Sequence, residues 1–179
     1  MQRVLVLGPS GAGKSTLARQ LGELLDLPVC HLDQLFWLPG WVEAPREVFD
    51  ERLAEVIAGN AWVIDGNYSR VLEARLARAD TAIYLDFPRR LCYYRVVKRL
   101  IQYHGRPRPD MGEECPEKID WEFIQWIWGF PSRSRPRILA RLAACPPEQR
   151  VHILRGPRAV NELLAGLPRT GADRAQLPR

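Results

Sequence analysis

Little in this sequence speaks for a metal cage or a disulfide scaffold. Its cysteines are Cys30, Cys92, Cys115 and Cys145, and no two form a Cys-x-x-Cys pair. Its 3 histidines are scattered, so no metal-ligand spacing can be read. Long apolar runs are missing too: none approaches the ~20 residues that a membrane-spanning helix needs. The apolar run near the start is short and ends in glycines, unlike a secretory signal. There are no internal repeats and no helix-turn-helix or other nucleic-acid module. These absences predict a reduced, cytoplasmic protein with no membrane partner.

What is present suits a globular chain. Of 179 residues, 46% are hydrophobic and 26% charged, enough to bury a core in one domain. The net charge of +5 is uneven. Residues 87–141 hold 12 Lys plus Arg against 6 Asp plus Glu, while the rest holds 14 against 15, so one segment is +6 and the remainder −1. A local basic excess suits nucleotide phosphates or nucleic acid, and equally a solvated helical surface.

Short apolar strands alternate with helical periodicities. Strands are expected at 3–8, 29–32, 61–65, 81–86 and 150–154. Helices are expected at 14–25, 45–58, 71–77, 89–103, 120–129, 135–144 and 158–167. Five alternations predict an α/β fold: a central five-stranded parallel sheet with helices on both faces, a three-layer sandwich. The Pro-, Gly- and charge-rich stretch 104–116 reads as loop, and the last dozen residues, 168–179, as a flexible tail.

Residues 8–15 read GPSGAGKS, matching G-x-x-x-x-G-K-[S/T] between a strand and a helix. Gly8, Gly11 and Gly13 let the backbone turn tightly and aim its N–H groups at phosphate oxygens, with Ser10, Ala12 and Thr16 completing the loop. The helix that follows adds a positive dipole end. Lys14 neutralises the outer phosphates, and the Ser15 hydroxyl is placed for Mg²⁺. The motif therefore predicts ATP and Mg²⁺. A carboxylate is expected beside the metal. Asp33, Asp65 and Asp86 each end a strand on the ligand side of such a sheet. Asp86 precedes Phe-Pro and is expected to cap the next helix. Asp65 is the candidate metal ligand. Asp33 leads into the aromatic segment QLFWLPGW, where a second substrate has room.

WVIDGNYSR resembles the Asp-Gly strand end of adenylate-kinase-type enzymes, D-G-F-P-R, with two residues changed and Arg70 one position later. Taken with GPSGAGKST, HLDQLFWLPGW, LDFPRRLCYYRVVKR and RPDMGEECPEK, the chain resembles the bacterial DNA topology modulation proteins, an adenylate-kinase-like group of P-loop proteins. The resemblance runs from residue 1 to about 167. It implies a single nucleoside-monophosphate-kinase-type domain over 1–167. It also implies an acceptor-side segment at about 34–58, a mobile helical lid at about 102–137 and a link to DNA supercoiling.

Phosphoryl transfer needs positive charge around the moving group more than it needs a nucleophile. Arg95 and Arg99 lie four apart on one helix face. Arg106 and Arg108 sit in the loop, and Arg133, Arg135 and Arg137 follow the aromatic helix. Arg133 and Arg135 are the expected catalytic cations beside Lys14 and Asp33, and Arg155 is expected where the adenine passes. Phe36, Trp37 and Trp41 suit either stacking on an acceptor ring or packing. Asn67 and Arg70 suit acceptor binding, Arg70 through a phosphate. Trp121, Phe123, Trp126, Trp128 and Phe130 read foremost as a packing face. The favoured function is transfer of the ATP γ-phosphoryl group to a nucleotide or small-molecule acceptor. The alternative is a nucleotide-gated protein or slow ATPase that contacts nucleic acid or a partner through its basic segment.

Overall fold

Period-two alternation in the first strand sorts the core into two layers. In β1 (Arg3–Leu7), Val4 and Val6 face one side while Leu5 and Leu7 face the other, and all four are fully buried. A computed structural model describes residues 1–103, 114–116 and 121–168. Part of the expected lid, with Arg106 and Arg108, and most of the expected tail therefore lie outside the described residues.

The remaining strands are β2 (Val29–His31), β3 (Trp37–Leu38), β4 (Val42–Glu43), β5 (Trp62–Asp65), β6 (Thr81–Leu85) and β7 (Arg150–Leu154). Five form one sheet in the order β2-β5-β1-β6-β7, with every pairing parallel. The helices are α1 (Lys14–Leu25), α2 (Leu32–Phe36), α3 (Arg46–Ala58), α4 (Leu72–Arg78), α5 (Arg89–Gln102), α6 (Trp121–Arg133), α7 (Arg135–Ala143) and α8 (Pro157–Ala165). One layer packs Leu17, Ala18 and Leu21 of α1 against Val4, Val6, Val63 and Ile83. The other packs Phe49 and Leu53 of α3, Leu72 and Leu76 of α4, and Ile138 and Leu142 of α7 against Leu5, Ile64 and Tyr84. Each such side chain, fully buried, contributes about 1.5–3 kcal/mol. The expected α/β three-layer sandwich is the observed one. Among the described residues no helix is long and apolar enough to cross a membrane.

Several local expectations give way to tertiary structure. The second strand stops at His31, and Asp33 lies in the first turn of α2, where a negative charge meets the helix dipole favourably. QLFWLPGW leads into a small antiparallel hairpin: β3 and β4 pair and turn at Gly40 and Trp41, which have φ of 77° and 64°. The hairpin holds the Glu114–Pro116 segment. The Gly40 N–H donates to the Glu114 carbonyl at 3.1 Å, and the Trp41 indole N–H donates to the Pro116 carbonyl at 2.9 Å. Trp41 packs its ring edge to face on Trp37 at 5.3 Å while its N–H is held by the Glu114–Pro116 segment. The aromatic helix packs only in part. Phe130 is buried, while Trp121 and Trp128, seven residues apart on one outer face, are exposed. Trp128 carries the Arg89 guanidinium at 3.8 Å over its ring. The side chains of Phe123 and Trp126 lie outside the described set.

Asp86 does not cap α5. It sits two residues ahead of the N-cap position, Pro88, too far upstream to reach the helix N–H groups. It instead accepts a two-pronged hydrogen bond from Arg135 Nε and Nη2 at 2.7 and 2.8 Å, tying the end of β6 to the start of α7. The Arg135 hydrogen bonds hold the Asp86 carboxyl below the usual carboxylate range, against a smaller opposing effect of burial. A lowered folded-state pKa stabilises above the unfolded value of ~3.9 and is lost as pH falls through the folded one. Screened by solvent, the pair is worth about 1 kcal/mol. We expect Asp86→Asn to cost that amount in urea denaturation at pH 7 and to cost progressively less below pH ~4. A cost independent of pH would remove the pair from the stability of this corner.

Candidate functional site

The glycine-rich loop is shaped by what lies behind it. Gly11 has φ 80°, and a Cβ there would fall 2.2 Å from the Cys92 carbonyl of α5. Only glycine satisfies both the left-handed backbone and that contact. The Ala12 N–H closes the turn on the Pro9 carbonyl at 3.2 Å, and Arg95 of α5 donates to the Ala12 carbonyl at 3.2 Å. Gly13, with φ 96°, is the N-cap of α1, so the helix opens onto the loop. Lys14 Nζ donates to the Pro9 carbonyl at 3.2 Å, folded back over the loop. Burial lowers its pKa, and the carboxylates Asp65 and Asp33 oppose that drop. An arriving polyanion adds to the same opposition and favours the ammonium form.

The loop after β5 ties the site together. Asn67 clamps Gly8 from both sides. It accepts from the Gly8 N–H at 3.1 Å and donates to the Gly8 carbonyl at 2.8 Å. Tyr68 donates its hydroxyl to Asp33 at 2.8 Å. Burial and the neighbouring Asp33 push the Tyr68 phenol far up, so it stays protonated as a donor. Behind this loop stands Arg75 of α4, fully buried. Its guanidinium donates to the carbonyls of Gly66 at 2.8 Å, Asn67 at 2.5 Å, Tyr68 at 3.1 Å and Val71 at 3.2 Å. Burial pulls the Arg75 pKa down to about 10, still charged at neutral pH.

The two carboxylates stand at adjoining strand ends. Asp65, 4% exposed, meets His31 Nδ1 at 2.5 Å, and the two residues are register partners across β2 and β5. Asp65 and Ser15 both line the cleft in front of the loop. Among the described residues no three His, Cys, Asp or Glu side chains gather as a metal cage. A hydroxyl and a carboxylate oxygen, with phosphate and water completing the shell, are the donors that Mg²⁺ takes. The donor set therefore fits Mg²⁺ and does not fit a soft metal.

One cleft of about 1180 Å³ joins these parts. Ser10 to Thr16 form one wall, with Arg95 and Arg99 beside them. Asp33, Phe36, Trp37, Asn67, Tyr68 and Arg70, expected on the acceptor side save Tyr68, line the cleft too. Arg70 is already engaged: its fork meets Asp50 at 2.8 and 2.6 Å. Other expected site residues sit elsewhere. Trp41 is on the hairpin's far contact, Arg135 is committed to Asp86, and Arg133 lies back over Gly129 on its own helix. None of the three lines the cleft, nor does Arg155; after β7 it is Pro157, Val160 and Asn161 that do. From α7 the cations that reach it are Arg137 and Arg141.

Sequence reasoning missed Tyr68, Arg75 and Arg141. Arg75 carried a readable sign: it lies at i+3 from Leu72 and next to Leu76, on the apolar stripe of α4. A charge on a buried face must find partners there. We expect Arg75→Met to leave three loop carbonyls without their donor. The cost is about 3 kcal/mol in urea denaturation, together with weakened nucleotide binding through Asn67 and Gly8. A loss under about 1 kcal/mol with intact nucleotide affinity would show that the loop holds itself.

No protein-family model matches the chain. Over 106 residues it is 31% identical to an adenylate kinase of Mycolicibacterium paratuberculosis, a match that covers 45% of this chain and 59% of that protein. The chain thus matches little more than half the length of that curated relative. A shikimate kinase from Acinetobacter baumannii, solved in complex with shikimate, superposes with a TM-score of 0.59 at 18% identity, covering 92% of this chain and 89% of the other. A shikimate kinase from Bacteroides thetaiotaomicron superposes at 0.50 and 19% identity, covering 92% and 94%. At these identities the likeness speaks to the fold. The chain has the α/β fold of these P-loop kinases: a phosphate-binding loop after the first strand of a five-stranded parallel sheet.

Proposed function

We propose that this chain is a phosphotransferase that moves the γ-phosphoryl group of ATP to a second small substrate. The observation that carries the reading is the shared cleft: the glycine-rich loop, two carboxylates and an aromatic acceptor wall open into one space. A switch or a motor needs the loop but has no need of an acceptor wall. The match to an adenylate kinase and the likeness to shikimate kinases support the same reading.

In this reading the N–H groups of Ser10 to Thr16 hold the β- and γ-phosphates at the mouth of α1. Lys14 stabilises the charge that builds on the transferring group, with Arg95 and Arg99 at its flank. Arg137 and Arg141 take the place that Arg133 and Arg135 held as expected lid cations. Ser15 and Asp65 hold Mg²⁺, which when bound neutralises phosphate charge. Asp33 faces the acceptor, and Phe36 and Trp37 supply its apolar contact. Residues 1–167 act as one domain, in the cytoplasm.

The test is ADP formation from ATP and Mg²⁺ in the presence of nucleoside monophosphates, nucleosides and small hydroxy compounds. Acceptor-dependent turnover should fall about 10²-fold or more in Lys14→Ala, since a cation aimed at the developing charge is lost. Asp65→Asn should raise the Mg²⁺ concentration needed for half-maximal turnover; an unchanged Mg²⁺ dependence removes Asp65 from the metal site. The basic segment and the resemblance to DNA topology modulation proteins carry the competing reading. Acceptor-independent hydrolysis stimulated by DNA, with salt-sensitive DNA binding, would replace the kinase by a nucleotide-gated DNA protein.

A further inference from the structure

The sheet ends in two unlike edges. At one, β2 has 3 residues; at the other, β7 has 5, with neither proline nor lysine among them. Sheets commonly guard an edge with such residues, with a bulge or with a covering segment. β7 pairs with β6 in parallel, so its backbone groups alternate in direction. The Arg150 N–H donates to the Asp80 carbonyl at 2.9 Å, and the Leu154 carbonyl accepts from the Asp86 N–H at 2.8 Å. Arg150, His152 and Leu154 therefore turn their N–H and C=O groups toward β6. Val151 and Ile153 turn theirs outward, and among the described residues those groups find no partner.

The side chains on this rim are half covered as well. Every residue of β5 and β6 is buried, whereas in β7 only Leu154 is. Ile153 is 43% exposed. On the Leu154 side of the sheet, α8 sets Ala159, Val160, Leu163 and Leu164 against the core, yet none of its 9 residues is fully buried. Unpaired strand groups and half-covered apolar side chains on one rim call for a partner.

The chain itself supplies a matching one. A two-fold axis through His152, perpendicular to the sheet, sets β7 of a second copy antiparallel to the first. Val151 of each copy then lies opposite Ile153 of the other as a hydrogen-bonded pair, and every outward N–H and C=O is matched. The same pairing lays the exposed Ile153 against a β-branched neighbour. It opposes no like charges: Arg150 faces Leu154. His152 faces its own copy on the axis, and burial together with Arg150 lowers its pKa, so the two imidazoles meet uncharged at neutral pH. The axis keeps both α8 helices on one face, side by side, where each can cover the other.

We infer that β7 is a self-pairing edge through which two copies of this chain join their sheets into one. This goes beyond the proposed phosphoryl transfer and does not rest on it. α8 also carries Pro157, Val160 and Asn161 of the cleft, so the interface shares a helix with the site.

The experiment measures mass by sedimentation and light scattering over a concentration series of the full chain, with amide exchange of β7 followed in parallel. Wild type is compared with Ile153→Pro, Ile153→Lys and a chain ending at Pro168. Binding of a non-hydrolysable ATP analogue checks that each variant is folded. We expect the mass to double with concentration, and the Val151 and Ile153 amides to gain protection in step. Ile153→Pro removes an N–H that β6 does not use, so the single chain keeps its ladder. It should raise the dimer Kd ~10-fold or more, since each copy loses a bond to the other. Ile153→Lys should do likewise by placing a solvated charge in the pairing. A wild type that stays monomeric throughout overturns the inference. So does a dimer that survives both substitutions, which must use another surface. Protection that is independent of concentration and lost in the chain ending at Pro168 gives the edge to the protein's own last residues and overturns it too.

Discussion

A guanidinium sealed from water, with backbone carbonyls for ligands, sets the geometry on which the site depends. Arg75 grips Gly66, Asn67 and Tyr68 at once. A charge is costly to bury without a counterion, and the cost is met only if every arm of the fork is used. That demand leaves the Gly66–Tyr68 loop one conformation. Asn67 is then delivered to Gly8 on one side and Tyr68 to Asp33 on the other. The glycine-rich loop and the Asp33 carboxylate are therefore held in register by a residue that touches neither.

The sheet supplies the second constraint. Because β2 and β5 pair in parallel with His31 opposite Asp65, two strand ends bring their side chains to the same rim. The crevice beyond parallel strand ends is the usual ligand position in such folds. Here it is lined on one side by N–H groups at the start of α1 and on the other by carboxylates. Lys14 lines the same cleft, its ammonium disfavoured by burial, a drop that Asp65 and Asp33 oppose in part.

The parallel sheet, the helix starts and the glycine-rich loop were legible because each rests on short-range rules: period-two burial, a Gly-Lys-Ser turn, a proline near a helix start. The residues flanking the cleft were less legible, and for one reason. Side chains such as Arg70, Arg135 and Trp41 were assigned by type and neighbourhood, whereas their partners are distant in the chain. Asp50 takes Arg70, Asp86 takes Arg135, and the Pro116 carbonyl takes Trp41. A long cation finds the nearest unpaired anion in space, and spacing along the chain does not give that distance. Arg75 was the opposite case. It was visible as a charge on an apolar stripe, yet its targets were carbonyls, which leave no mark in a sequence.

The contact between Gly11 and the Cys92 carbonyl bears on how portable such a loop is. The short glycine-rich motif looks like a self-contained cassette. In this fold it is half of a moulded pair, and the other half is the backbone of α5 near Cys92, eighty-one positions away. Grafted onto another scaffold, the motif would carry its letters but not its backing. A successful transplant would have to bring the first turns of that helix along as a matching die.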